Sequence, residues 1–165
     1  MTEDELSPRG AIPSKWIIIP LVLVFLPLAI PLVVLYLGYG LLLHIAVWTR
    51  WIPRGKHVLF VTSDSPVWSE YIEWEILRQI EPQAVVLNWS HRSEWRGAPR
   101  LAVWIFHFFG GRREFNPMAV VFRRYRPAKV YRFWKPFRDF KHGKTWALEA
   151  MKAEFLDTVR SSMQG

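Results

Sequence analysis

The sequence predicts an α/β domain of order β-α-β-α-β-β-α carried behind an N-terminal transmembrane helix. Three observations predict it. Residues 16–48 form an apolar run without a single Asp, Glu, Lys or Arg. Downstream, short β-branched runs alternate with stretches of helical period, the pattern of a parallel βαβ unit. Two further apolar runs lie too close together for a crossover connection, so they must pair as an antiparallel hairpin.

A hydrocarbon core of about 30 Å needs about 20 apolar residues as a helix, and two crossings need about 40 plus a turn. Residues 16–50 are therefore assigned to one transmembrane crossing or to a shallow re-entrant anchor. Pro20, Pro27, Pro31 and the glycines Gly38 and Gly40 predict a kinked entry over residues 17–31, followed by a straighter span ending near Trp48. Trp16, Trp48 and Trp51 fall where interfacial anchors belong. Residues 1–15 are polar, carry Pro8, Gly10 and Pro13, and are expected to form a disordered tail. A secretory signal starts with basic residues and has an apolar region of about 7 to 15 residues. Here Glu3, Asp4 and Glu5 come first and the run is far longer, so the segment is expected to stay attached. Arg50, Arg54 and Lys56 follow the run and only Arg9 and Lys15 precede it, which leans the soluble domain toward the cytoplasmic side of an integral membrane protein.

Residues 56–161 suffice for one compact domain and are too few for two. The chain of 165 residues has no cysteine, which excludes disulfides, thiolate metal sites and thiol catalysis. Its net charge of +8 is localised: residues 111–144 hold eleven Lys and Arg against Glu114 and Asp139, a local +9, so the remainder sums to −1.

Residues 57–62 (HVLFVT) suit a buried strand. Ser63, Asp64, Ser65 and Pro66 read as a turn into a helix, with Ser65 as N-cap and Pro66 at the first helical position. Trp68, Ile72, Ile76 and Ile80 recur every fourth residue beside Leu77, which gives that helix one apolar face. Glu81 and Pro82 stop it. Residues 84–87 (AVVL) form a second buried strand, and the close succession makes a right-handed parallel unit. Residues 88–98 read as polar loop. Pro99 starts a second helix over residues 100–109, ended by Gly110 and Gly111. That helix is apolar on every side except His107, so its outer face is expected against lipid or against the preceding loop. Residues 118–122 (MAVVF) and 129–134 (KVYRFW) are two more strands, joined by residues 123–128. From Thr145 helical spacing returns, with Leu148, Met151, Phe155 and Val159 on one face.

This order resembles the thioredoxin core over residues 57–160. The resemblance lies in topology: a parallel unit first, an antiparallel hairpin second, and Asn116-Pro117 where that fold has a cis-proline before its third strand. It implies that the loop after the first strand, where the family carries its redox Cys-x-x-Cys, is here Ser63-Asp64-Ser65-Pro66. Without cysteine the disulfide exchange of that family cannot occur, so the domain is expected to be redox-inactive. A half-Rossmann or other α/β sandwich is the alternative.

The ends of the first two strands and the start of the third share one sheet edge, which brings Ser63, Asp64, Ser65, Ser90, His91, Asn116 and Pro117 together as a candidate ligand cleft. Capping and turn formation account for the same residue types. His91 and Glu94 lack the further ligands a metal or an acid–base site needs, and no cofactor is expected. His44 and His107 are lone histidines in apolar helices, expected to be satisfied by a local carbonyl. Asn88-Trp89-Ser90 matches a glycosylation acceptor pattern that has no bearing on a cytoplasmic domain.

Aromatic residues interleave with basic ones from Phe115 to Lys144, the candidates for binding being Arg123, Arg124, Arg126, Lys129, Arg132, Lys135, Arg138 and Lys141. Such a stretch reads as a membrane-surface patch, a nucleic-acid platform, or a solvated basic face over an aromatic core. The upstream anchor favours lipid over nucleic acid. The expectation is a membrane-anchored, non-catalytic binding or scaffold domain whose partners are the bilayer and anionic lipid headgroups or a membrane protein. The rival is a membrane-bound enzyme of glutathione-transferase-like type using Ser63 or Ser65.

Overall fold

A computed structural model of the chain describes residues 15–96, 100–111 and 116–162. The expected tail, apart from Lys15, lies outside the described residues, as do Pro99, Phe115 and the side chains of Trp16 and Lys141. Two compact units are present, Met1–Tyr39 and Gly40–Gly165.

Helix α1 spans Lys15–Arg50 without interruption. Pro20, Pro27 and Pro31 each remove one backbone donor, yet the helix runs through them, so no re-entrant turn interrupts residues 17–31. In the first unit the described large apolar side chains, among them Ile30, Leu32, Val34, Leu35 and Leu37, are exposed. Within Phe25–Arg54 the chain holds one helix long and apolar enough to cross a membrane, by length and composition.

The second unit begins at Gly40, sixteen residues before the expected domain start at residue 56. The last turns of α1 are part of its core: Leu43, Val47 and Trp51 are buried, whereas Leu41, Leu42 and Ile45 are exposed. A spacing of three or four residues turns one stripe of the helix inward, and the opposite stripe stays uncovered although it is equally apolar.

Strand β1 (Val58–Thr62) is central. It pairs in parallel with β2 (Ala84–Asn88) and antiparallel with β3 (Met118–Arg123), which pairs antiparallel with β4 (Arg126–Arg132), giving the order β2-β1-β3-β4. Between β1 and β2 runs α2 (residues 69–80), whose middle turn Glu73–Leu77 is π-helical. The expected Ser65 cap is a local one: the Val67 amide donates to Ser65 Oγ at 3.4 Å, and the helix itself starts at Ser69. The expected loop after β2 is a 3-10 segment, Trp89–Arg96. Helix α3 (Arg100–Phe109) has the expected bounds. It buries Leu101, Ala102, Ile105 and Phe106 and leaves Trp104 and His107 exposed.

Two expectations are corrected near the end of the chain. Strand β4 begins at Arg126, so the link from β3 shrinks to Arg124 and Tyr125. Pro127, read as a loop residue, is accommodated because β4 is an edge strand and the ladder carries an irregularity between Val121 and Arg123, opposite Pro127. Trp134, read as the end of that strand, instead opens a short helix, α4 (Trp134–Lys141), before α5 (Trp146–Ser162). The Asn116-Pro117 bond is cis.

The sheet divides two apolar clusters. Alternation along β1 sends Val58 and Phe60 to one face and Leu59 and Val61 to the other. The first face packs on Ile72, Ile76, Ile80, Phe133, Phe137, Leu148 and Phe155, which belong to or adjoin α2, α4 and α5. The second packs on Leu43, Val47 and Trp51 of the α1 end and on α3. In this second unit the α1 end therefore takes the place of a helix that the domain would otherwise have to supply.

Candidate functional site

The register places the expected cleft residues at one sheet edge, since Thr62 pairs with Asn88 and Val61 with Met118. Four polar residues form a network there. Asn88 Nδ2 donates to Asp64 Oδ1 at 2.6 Å, the Asp64 amide donates to Ser90 Oγ at 3.0 Å, and the Ser90 amide donates to Asn88 Oδ1 at 2.9 Å. His91 Nε2 lies 3.1 Å from Asp64 Oδ2, with both side chains more than half exposed, where solvent screening leaves such a pair little net energy. Ser63 is buried, Ser65 accepts from Val67, and among the described residues neither hydroxyl is hydrogen-bonded to a histidine or carboxylate. Asn116 Oδ1 is buried without a hydrogen-bond partner among the described residues, and Pro117 receives the Phe133 amide on its carbonyl oxygen. The arrangement ties the loops after β1 and β2 together. Among the described residues no group of three or more His, Asp or Glu side chains is arranged to hold a metal ion.

The basic residues separate into two sets. Arg132 donates from Nη1 to the Gly110 carbonyl oxygen (2.6 Å) and from Nη2 to that of Phe109 (2.9 Å), so it caps the C-terminus of α3. Lys129 meets Glu154 at 2.6 Å on α5, and this hydrogen bond raises the lysine pKa. Arg138 lies 3.4 Å from Asp139, and Arg123 Nη2 donates to the Pro127 carbonyl oxygen at 3.0 Å. Each of these four has a hydrogen-bond or ion-pair partner in the chain. Arg124, Arg126 and Lys135 are exposed, and none has a carboxylate partner among the described residues. Lys141 falls outside because its side chain is not described.

Arg124 and Arg126 flank the tight β3–β4 turn, and between them Tyr125 stands at φ +57° with its side chain 75 % exposed. Its ring meets Trp48 of α1 edge-on, with centroids 5.7 Å apart. The Arg124 guanidinium lies 5.2 Å from the Tyr125 ring centre, and Trp48 in turn lies 6.2 Å from the His44 ring. His44 fixes this junction. The Ala128 amide can only donate, so His44 Nε2 (3.1 Å) must accept, and Nδ1 then donates to the Gly40 carbonyl oxygen at 2.8 Å. The local carbonyl expected for His44 is there, and the second contact satisfies an edge-strand amide. An open cleft of about 280 Å³ is lined here by Trp48, Ile52, Pro53, Arg124 and Tyr125. The sequence names the arginines, but nothing in it brings Trp48 to Tyr125.

A polar cluster between α2 and α5 was also not legible. Tyr71 donates to Glu149 Oε1 at 2.7 Å, and Lys152 lies 2.7 Å from Glu149 and 3.1 Å from Glu75. Burial opposes the Lys152 charge, but the bonds to Glu149 and Glu75 outweigh it and its pKa rises. Burial, then the Glu149 hydrogen bond, pushes Tyr71 up to about 12. Every member has an interhelical partner, which makes the cluster a tie between helices. Comparison with protein-family models, with curated proteins and with solved structures finds no match to this chain.

Proposed function

We propose that this chain is a membrane-anchored, non-catalytic binding domain whose basic turn is held against the anionic headgroups of the bilayer that α1 crosses. The observation that carries the reading is the contact between Trp48 and Tyr125, which joins the apolar helix to the turn bearing Arg124 and Arg126. Residues 16–39 alone would span about 36 Å as a helix, enough for a hydrocarbon core of about 30 Å. The apolar run then exceeds one span because its last part serves two environments, protein on the Leu43–Val47 side and lipid on the Leu42–Ile45 side. Lipid on that second side supports a domain seated on the membrane. Basic residues near an anionic leaflet contribute about 1 kcal/mol each, so Arg124, Arg126, Arg50 and Arg54 together add several kcal/mol to an anchor already in place. The excess of Arg and Lys after the apolar run supports a cytoplasmic placement of the domain.

The parallel β1–β2 pair and the antiparallel β3–β4 hairpin support the resemblance to the thioredoxin core. Lacking cysteine, a domain of that type has no disulfide exchange to perform, which supports a role in binding.

The test is hydrogen exchange of the full chain in nanodiscs of neutral and of anionic lipid. Protection at residues 124–126 should appear in anionic discs and fade as salt rises, because the screening length is only about 8 Å at 0.15 M. Equal exchange in both discs would reject the headgroup contact, and extraction of the chain by carbonate without detergent would reject the anchor.

A further inference from the structure

From the β3–β4 turn we infer a discrete binding site for the phosphate of one anionic phospholipid, formed by the cleft between Trp48, Ile52, Pro53, Arg124 and Tyr125. The inference rests on the membrane reading above and narrows it from a charged face to a single site. Tyr125 is the first indication. A side chain at φ +57° costs about 1–2 kcal/mol, and a two-residue hairpin turn normally uses Asn or Gly there. The turn itself therefore gains nothing from tyrosine. What the tyrosine adds is an exposed ring set edge-on to Trp48 with the Arg124 guanidinium 5.2 Å from its centre, an amphipathic wall suited to the boundary between headgroup and acyl chain.

Charge gives the ligand its sign. Arg124 lines the cleft, Arg126 opens β4 just after the turn, and Arg50 and Arg54 flank Ile52 and Pro53 in sequence. All four are exposed without a carboxylate partner among the described residues, and no acidic side chain lines the cleft. Guanidinium groups recognise phosphate through paired N–H donors, which a point-charge ammonium does not reproduce. The Trp48 ring forms one wall of the cleft, and its indole N–H is buried with no acceptor among the described residues. Size gives the rest: at about 280 Å³ the cleft falls just below the usual range of ligand sites, about 300–1,000 Å³, which suits a small polar headgroup and not a whole lipid. The apolar Ile52 and Pro53 wall meets the chain end, and the lipid-facing side of α1 continues it.

Native mass spectrometry of the full chain in neutral detergent, titrated with phosphatidate, phosphatidylglycerol or phosphatidylcholine, tests this site. The expected result is one saturable anionic lipid per chain and none of the choline lipid. Arg124→Gln should weaken binding about tenfold or more, the factor set by losing one charge-assisted hydrogen bond. Tyr125→Gly should weaken it as well while raising thermal stability, since glycine suits φ +57°, and that separates site loss from misfolding. Lys135→Gln should leave it unchanged. Equal losses for Arg124→Gln and Lys135→Gln, or many lipids without saturation, would overturn the single site and leave the general charged face standing. Displacement by millimolar inorganic phosphate alone would overturn the assignment to a lipid. No preference for anionic lipid in any variant would remove the headgroup reading with it.

Discussion

Replacing Leu43 by alanine should destabilise the folded unit, while the same change at Leu42 should not. The two leucines are neighbours in an uncharged run and equal in hydropathy, but Leu43 is 3 % exposed and Leu42 64 %. Leu43 shares a buried cluster with Leu59, Leu101, Ile105 and Phe122, residues of the sheet and of α3. Truncation there removes about three carbons' worth of burial and leaves a cavity, for which leucine-to-alanine changes cost about 2–5 kcal/mol. For a chain of this length each kcal/mol moves the midpoint by about 2–4 °C, so a fall of about 4–20 °C is expected. Leu42→Ala should stay within about 0.5 kcal/mol. The assay is thermal unfolding of the full chain in neutral detergent, followed by tryptophan emission, to which the buried Trp51 contributes. Equal shifts for the two variants would refute the conclusion that the end of α1 is core.

Phe155 is fully buried against Phe60, Tyr131 and Phe133, so Phe155→Ala should cost about 3–5 kcal/mol, read as a lower denaturant midpoint. Arg132→Gln should lose about 1.5–3 kcal/mol by releasing the α3 carbonyls, yet leave lipid binding unchanged, which distinguishes a capping arginine from a surface one. His57 is buried, and desolvation lowers its pKa from the ordinary 6.5, an effect that the backbone groups of Val159 and Gly55 only partly oppose. A group depressed in the folded state binds its proton more readily when unfolded, so its contribution is intact above about pH 6.5 and is lost as pH falls below that value. Unfolding midpoints measured from pH 7.5 to 5 should fall, and His57→Leu should flatten the slope over that window; an unchanged slope would mean that His57 titrates normally.

Much of the fold was legible because local pattern and tertiary role agree. The strands around Leu59, Val85 and Val120 are short apolar runs between turn residues, and α3 is bracketed by Pro99 and the glycines 110 and 111. The failures share another cause. Leucine is as much at home against lipid as against Leu59, so hydropathy could not mark where along α1 the core of the second unit begins. The strand read over residues 129–134 runs past its end at Arg132, because Phe133 and Phe137, four apart and both buried, already carry the helical spacing of the α4 segment. Pro127 suggested a loop because the edge position of β4, where proline is tolerated, is a property of the sheet and not of the segment. At the expected cleft, register alone assembles Asp64, Asn88, Ser90 and His91. The turn by contrast depends on Trp48 and Tyr125, which lie far apart in sequence and meet through the His44 bond to Ala128.

Depth in the bilayer addresses the central claim most directly. The chain has no native cysteine, so one introduced cysteine is its only thiol. A nitroxide attached at Leu42→Cys in reconstituted bilayers should collide readily with oxygen and hardly at all with a water-soluble nickel complex, whereas one at the exposed Arg160→Cys should show the reverse. A label at residue 42 that meets the nickel complex as freely as the label at residue 160 would contradict a domain seated on the membrane through the outer face of α1.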